Sequence, residues 1–196
     1  MALVSTRRCR TAGSRWLRLC LLWLCLSGLP VALLGAVLTE YEVKAGFLYH
    51  VGWFVDWPAS TVQADASTFV IGVLGTSPFG GVLEDLLRGK SVRERPVVVQ
   101  YYQRPDEAIA SHVLFISAEE AARLPALLEG LGKASVLTVS DLERFTERGG
   151  VIALRLVDRK LHFDINLEAA ERAGLKLSSQ LLRLAKAVHP PQSGRK

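Results

Sequence analysis

The stretch Phe69-Val70-Ile71-Gly72-Val73-Leu74-Gly75-Thr76-Ser77-Pro78 decides the fold. Phe69 to Leu74 is continuously apolar, as in a strand covered on both faces rather than one with a wet side. Gly75-Thr76 turns the chain, and Ser77-Pro78 reads as an N-cap followed by proline at the first helical position, in a helix stopped by Gly89. Working outward, strand and helix signals alternate. Pro96 to Tyr102 and His112 to Ile116 are the next strands, and Ser117 with Glu120 has capping-box spacing for a helix to about Leu131. Val136 to Val139 is a short strand, after which Ser140 with Glu143 caps a short helix ending near Gly149-Gly150. Val151 to Val157 and Lys160 to Ile165 read as a hairpin across Asp158-Arg159. Asn166 caps a helix ended by Gly174, and Ser178 or Ser179 opens a last amphipathic helix to about Val188. Upstream, Thr39 with Glu42 opens a helix to about Val55, with Val43, Phe47, Val51 and Phe54 as its buried stripe. This alternation predicts a Rossmann-like α/β three-layer sandwich, a largely parallel sheet with an appended antiparallel hairpin.

Residues 1–36 read differently. Arg7, Arg8, Arg10, Arg15 and Arg18 precede an uncharged stretch, Leu19 to Leu38, with small residues at Gly35 and Ala36. That is the layout of a secretory signal peptide. At about 20 residues the stretch is also long enough to remain as a membrane anchor. With the arginines on its N-terminal side, either outcome places the domain at 37–188 outside the cytoplasm. The Pro/Gly/Ser-rich end, 189–196, reads as a flexible tail.

Of 24 basic and 19 acidic residues, five arginines belong to the targeting segment, leaving 19 of each sign. The basic balance of the whole chain is therefore no argument for nucleic-acid binding. Cys9, Cys20 and Cys25 also lie there, so the domain has no disulfide, thiolate metal site or cysteine nucleophile.

The search for chemistry in the domain is otherwise short. Gly75 to Gly81 follows a strand, but it lacks the Lys-Ser/Thr ending of a P-loop and does not fit G-x-G-x-x-G. His162 and Asp164 share one face of a strand and could chelate together, yet spacing suggests no third ligand, so no metal is expected. There is no G-x-S-x-G, and capping accounts for Ser140. No cofactor and no enzymatic activity are expected.

Aromatic residues carry the remaining signal. Phe47, Tyr49, Trp53, Phe54 and Trp57 crowd the first helix and its exit, more than one buried stripe can absorb. Tyr49, His50, Trp53 and Trp57 are candidate partner contacts, with His162 and Asp164 as a polar patch. The alternative is a small-ligand pocket at the strand C-terminal ends, near Gly75, Thr76, Ser77, Ser140 and Asp141, where open α/β sheets bind ligands.

An ordered series of segments resembles the YfiR family. It begins with Lys44-Ala45-Gly46-Phe47-Leu48-Tyr49 leading to Trp57-Pro58, then Gly72-Val73-Leu74-Gly75 with Pro78-Phe79-Gly80, then His112 to Ser117. Leu137-Thr138-Val139-Ser140-Asp141, Phe145, Gly149-Gly150, Phe163 to Asn166, Ala169-Ala170, and Leu175 through Ser178-Ser179 to Leu181-Leu182 complete it. The resemblance implies a periplasmic regulatory protein of Gram-negative bacteria that binds the periplasmic domain of an inner-membrane signalling protein, a diguanylate cyclase, and holds it inactive. It further implies homodimers, release by an outer-membrane lipoprotein, and control of cyclic-di-GMP synthesis and biofilm formation. It supplies no catalytic residues. Relatives often carry cysteine where this chain has Ser111, so the redox control or disulfide reinforcement that such a cysteine would allow is not expected here.

Overall fold

The computed structural model describes residues 39–59 and 67–190; the targeting segment expected at 1–36 lies outside them. The first helix, α1 (Glu40–Val51), is opened by a complete capping box: the Thr39 hydroxyl accepts from the Glu42 N–H, and the Glu42 carboxylate accepts from the Thr39 N–H. Four residues short of the expected end, the chain leaves the helix at Gly52 and enters β1 (Val55–Asp56). The expected stripe is also rotated. The buried face is Lys44, Ala45, Leu48 and Val51, while Val43, Phe47 and Phe54 are half-buried. Apolar residues occur all round this helix, so its periodicity does not select one face.

The strand β2 (Phe69–Leu74) is buried along its whole length, as its unbroken apolar run requires. The following helix, α2 (Val82–Leu87), begins later than expected: Gly81 is its N-cap, and the Ser77 hydroxyl instead accepts from the Phe79 N–H in a local turn. Next come β3 (Ser91–Val92), β4 (Arg95–Tyr102) and β5 (Val113–Ile116). Ser117 forms no side-chain cap; Ala118–Arg123 is a 3-10 turn leading into α3 (Leu124–Leu131). After β6 (Leu137–Ser140) the expected short helix is replaced by turns, in which Arg144 has φ 56°. Two local bonds fix that path: Ser140 Oγ accepts from the Leu142 N–H, and the Asn166 amide donates to the Thr146 carbonyl.

β7 (Ile152–Val157) and β8 (Lys160–Asn166) form the expected hairpin, with Asp158 and Arg159 both at positive φ, as a two-residue turn demands. Asn166 caps α4 (Leu167–Arg172) through the Ala169 N–H, β9 (Lys176–Leu177) follows, and Ser178 caps α5 (Ser179–Leu184). The last helix was expected to reach Val188. It stops at Leu184, and Ala187–His189 forms a strand, β10.

Among the described residues, eight strands make one sheet in the order β10-β8-β7-β6-β5-β2-β4-β3, and β1 pairs with β9 in a small antiparallel sheet. β4, β2, β5, β6 and β7 are parallel, whereas β3–β4 and β7–β8 are antiparallel. The expected largely parallel sheet with an appendage is thus corrected to a mixed sheet. The physical reason is β10: it pairs parallel to β8, so the hairpin is interior to the sheet rather than hung on its edge.

Strand alternation sends residues to two cores. Ile71, Val73, Val113, Phe115, Phe163 and Ile165 join α1, α2, α4 and α5 on one face. Leu74, Leu114, Ile116 and Ala153 join α3 and Phe145 on the other. Strand order reverses at β2, whose neighbours β4 and β5 lie on opposite sides.

Gly150 tests the packing of the second core. A Cβ there would sit 2.0 Å from Phe145 Cε1, and Phe145 is fully buried. Gly150→Ala is expected to lower stability by about 3 kcal/mol in urea unfolding. Gly46→Ala, in α1 with nothing within 4 Å of the new methyl, is expected to raise it by about 0.5–1 kcal/mol.

Candidate functional site

The carboxyl ends of β2, β5 and β6 meet at the switch in strand order. Asp141, immediately after β6, is reached from α1 by Lys44, whose side chain is only 2% exposed. Lys44 Nζ stands 2.5 Å from Asp141 Oδ2 and 2.5 Å from Glu40 Oε1, one helical turn back. The ammonium lies 4.6 Å from the Tyr41 ring centroid, and the Tyr41 hydroxyl donates to Asp141 Oδ2 at 3.4 Å. Tyr41 in turn packs edge-on against Phe79, at 5.5 Å between centroids. Asp141 Oδ1 is buried and has no hydrogen-bond partner among the described residues.

Burial works to lower the Lys44 pKa, but the hydrogen bonds to Asp141 and Glu40, with their charges, outweigh it and leave the value raised. Burial, then the Asp141 charge, raises that of Tyr41. At Tyr101, burial and the hydrogen bond to Glu84 push the hydroxyl up to about 12.

Of the residues expected to line a pocket here, Ser77, Ser140 and Asp141 bond to the chain itself. The Ser140 hydroxyl donates to the Ile116 carbonyl at 2.7 Å, tying β6 to β5. Gly75, at φ 86°, lies under Glu120, whose Oε1 would be 2.8 Å from an added Cβ. Glu120 is held by the Arg123 guanidinium at 2.6 and 2.9 Å. Thr76 is exposed and Ser77 half-buried.

The aromatic candidates divide. Tyr49 and His50 touch, ring centroids 5.0 Å apart, at the C-terminal end of α1. The Tyr49 hydroxyl donates to the Ser91 carbonyl, and Lys90 stands 5.4 Å from its ring centroid. Trp53 follows directly and is 47% exposed. Trp57 belongs to another neighbourhood, half-buried edge-on to Phe69 and His112 at 5.5 Å each. His162 and Asp164 lie on β8 pointing away from Phe163, which packs on Phe47 of α1; they therefore occupy the opposite face of the sheet from the α1 patch. Asp164 is paired with Arg155 at 2.5 Å. No group of three metal-ligating side chains is found among the described residues.

Sequence reasoning missed Lys44 as a site residue, since a lysine on a helix ordinarily reads as solvated. Its one signal was position: it opens the first block of the series quoted above, as Asp141 closes a later one.

A family model described as YfiR/HmsC-like matches residues 41–186. No curated protein matches the chain significantly. A solved structure described as a conserved domain protein from Vibrio cholerae O1 biovar El Tor str. N16961 is similar with a TM-score of 0.52 at 13% identity, over 77% of this chain and 60% of that one. The chain thus spans about three fifths of that protein, and at such identity the likeness shows the fold alone.

Lys44→Met leaves Asp141 buried without its cation and is expected to cost about 3 kcal/mol in urea unfolding. Asp141→Asn costs less, because Glu40 still pairs the ammonium. All three raised groups hold their protons more tightly when folded, so their contribution is complete below their ordinary values near 10. It is lost as pH rises from there through about 12, and thermal unfolding across that window should show the decline. Trp57→Ala is expected to cost about 2 kcal/mol through its lost ring contacts, and Trp53→Ala no more than about 0.5 kcal/mol.

Proposed function

The chain belongs to the YfiR/HmsC-like family, and from that premise we propose that it is a periplasmic regulator of cyclic-di-GMP signalling that binds the periplasmic domain of an inner-membrane diguanylate cyclase and restrains it. The reading is non-enzymatic. Such a protein shifts its partner toward the inactive state only as far as it binds that state better.

The observation that carries this reading is Trp53. It is a large aromatic side chain left 47% exposed beside Tyr49 and His50, at the end of a helix anchored through Lys44. Tryptophan and tyrosine on rigid elements are the side chains that dominate interfaces, because they bury much area for little lost freedom. Tyr49, His50 and Trp53 form the proposed contact, and Trp57, in its own neighbourhood against Phe69 and His112, is proposed as a separate one. His162 and Asp164, on the other face of the sheet, suit a separate contact, such as that with a second copy or with an outer-membrane lipoprotein that relieves the restraint.

The test is recovery from solubilised membranes by a C-terminally tagged, exported chain, read by mass spectrometry. An inner-membrane protein with a cyclase output domain is expected, reduced about tenfold or more by Trp53→Ala and unchanged by Arg88→Gln at the C-cap of α2. A folded bait that recovers no such protein refutes the function. Recovery unaffected by Trp53→Ala would keep the function and refute the surface.

A further inference from the structure

A cavity of about 730 Å³ opens at the amino ends of β6 and β7, the edge of the sheet opposite the Lys44–Asp141 cluster. It is open to solvent on one side and has room for a small molecule. Its walls come from the two sides of the sheet, α3 and α4. The floor is aliphatic, built from Leu128, Leu131, Val136, Val151 and Ala169. The rim is charged, with Lys133, Arg148 and Arg172 against the single acid Glu129.

Those cations are poorly neutralised by the chain. Among the described residues neither Lys133 nor Arg148 has an ion-pair partner; the Arg148 guanidinium donates to the Ala121 carbonyl. Arg172 has Glu168 at 3.7 Å, a loose and exposed contact. Nearby Glu147 is already taken by Arg144. The backbone keeps the space open where floor and rim meet. Gly149 has φ 100°, and a Cβ there would lie 3.4 Å from Leu128 Cδ1 and 3.9 Å from Arg172 Nη2. Any side chain at 149 would thus stand between the apolar floor and the guanidinium.

An aliphatic floor with three cations against one acid in its lining suits a ligand of matching polarity. No aromatic side chain lines the cavity among the described residues, so a nucleobase would find nothing to stack on. We propose that this cavity binds a small amphiphilic carboxylate, an organic anion of the medium-chain fatty-acid type. Its head group meets Arg172 and Lys133 beside Arg148, and its chain lies against Leu128, with the buried Leu131 and Val151 beneath. The site is independent of the aromatic surface on α1 and of the regulatory reading. Because the ligand touches α3 and α4 at once, it ties together elements packed on opposite faces of the sheet.

Calorimetric titration of the full chain with decanoate tests this, with decanol and inorganic phosphate as separate probes. Decanoate is expected to bind with one-to-one stoichiometry, at least tenfold tighter than decanol, and to raise the unfolding temperature as ligand accumulates. Phosphate alone should show no binding at matched concentration. Arg148→Gln with Arg172→Gln should weaken decanoate at least tenfold while leaving decanol unchanged. Arg148 also holds the Ala121 carbonyl, so two gentler variants stand beside that pair. Lys133→Gln removes an exposed charge that makes no ion pair among the described residues, and Ala173→Leu narrows the cavity from the C-cap of α4. Each should weaken decanoate, and Lys133→Gln should do so with the ligand-free unfolding temperature unchanged. Equal affinity for decanol and decanoate, phosphate binding as tight as decanoate, no decanoate binding by the folded chain, or affinity indifferent to these variants would each overturn the proposal.

Discussion

The ion pair between Lys44 and Asp141 is the contact on which the arrangement at the carboxyl edge depends. Burying an ammonium and a carboxylate costs several kcal/mol each, and their attraction offsets this only when the geometry is close and the remaining hydrogen-bonding capacity is met. Here Glu40 takes a second position on the ammonium, Tyr41 covers it, and the Tyr41 hydroxyl returns to the same carboxylate, leaving only Asp141 Oδ1 of the pair without a partner among the described residues. Moving α1 by a fraction of a turn would leave the Asp141 carboxylate buried without its cation and Lys44 with only Glu40, its neighbour on the same helix. The pair therefore sets the rotation of the helix. In doing so it determines which aromatic residues at the far end of α1 are half-covered and which, like Trp53, remain in solvent.

The two edges of the sheet differ for a related reason. At the carboxyl edge the polar side chains are spent on one another: Ser140 on Ile116, Asp141 on Lys44, Glu120 on Arg123. At the amino edge of β6 and β7 the charged side chains ring an aliphatic hollow with little acidic compensation. Open α/β sheets usually collect ligands at the carboxyl edge, where helix N-termini and loops converge. In this chain α1, packed on one face of the sheet, sends Lys44 to that edge and supplies the counter-charge itself. The interior position of the β7–β8 hairpin, flanked by β10, widens the sheet and gives α4 and α5 a surface to cover.

Much of the element order was legible in the sequence. The apolar run Phe69–Leu74, the Asp158-Arg159 turn and the Thr39, Asn166 and Ser178 caps are local signals, read from residues a few positions apart, and each formed. Signals of the same kind failed where a distant group competed for them. Ser140 has capping spacing with Glu143, but its hydroxyl is drawn to the Ile116 carbonyl across the sheet. Glu120 has capping spacing with Ser117, but its carboxylate goes to Arg123 over Gly75. Val188 continues an amphipathic pattern, yet the open edge of β8 captures it as strand.

By itself the sequence determined the α/β class, the absence of thiol chemistry from the domain, and the excess of aromatic residues at the end of α1. These follow from composition and short-range periodicity, which no folding event changes. Only the tertiary structure decided the mixed sheet, the burial of Lys44 and the cavity between α3 and α4. Strand pairing, ion pairing between residues 97 positions apart and the space left between two helices are long-range quantities. They depend on which distant surfaces meet, and a residue's neighbours in the chain do not specify that.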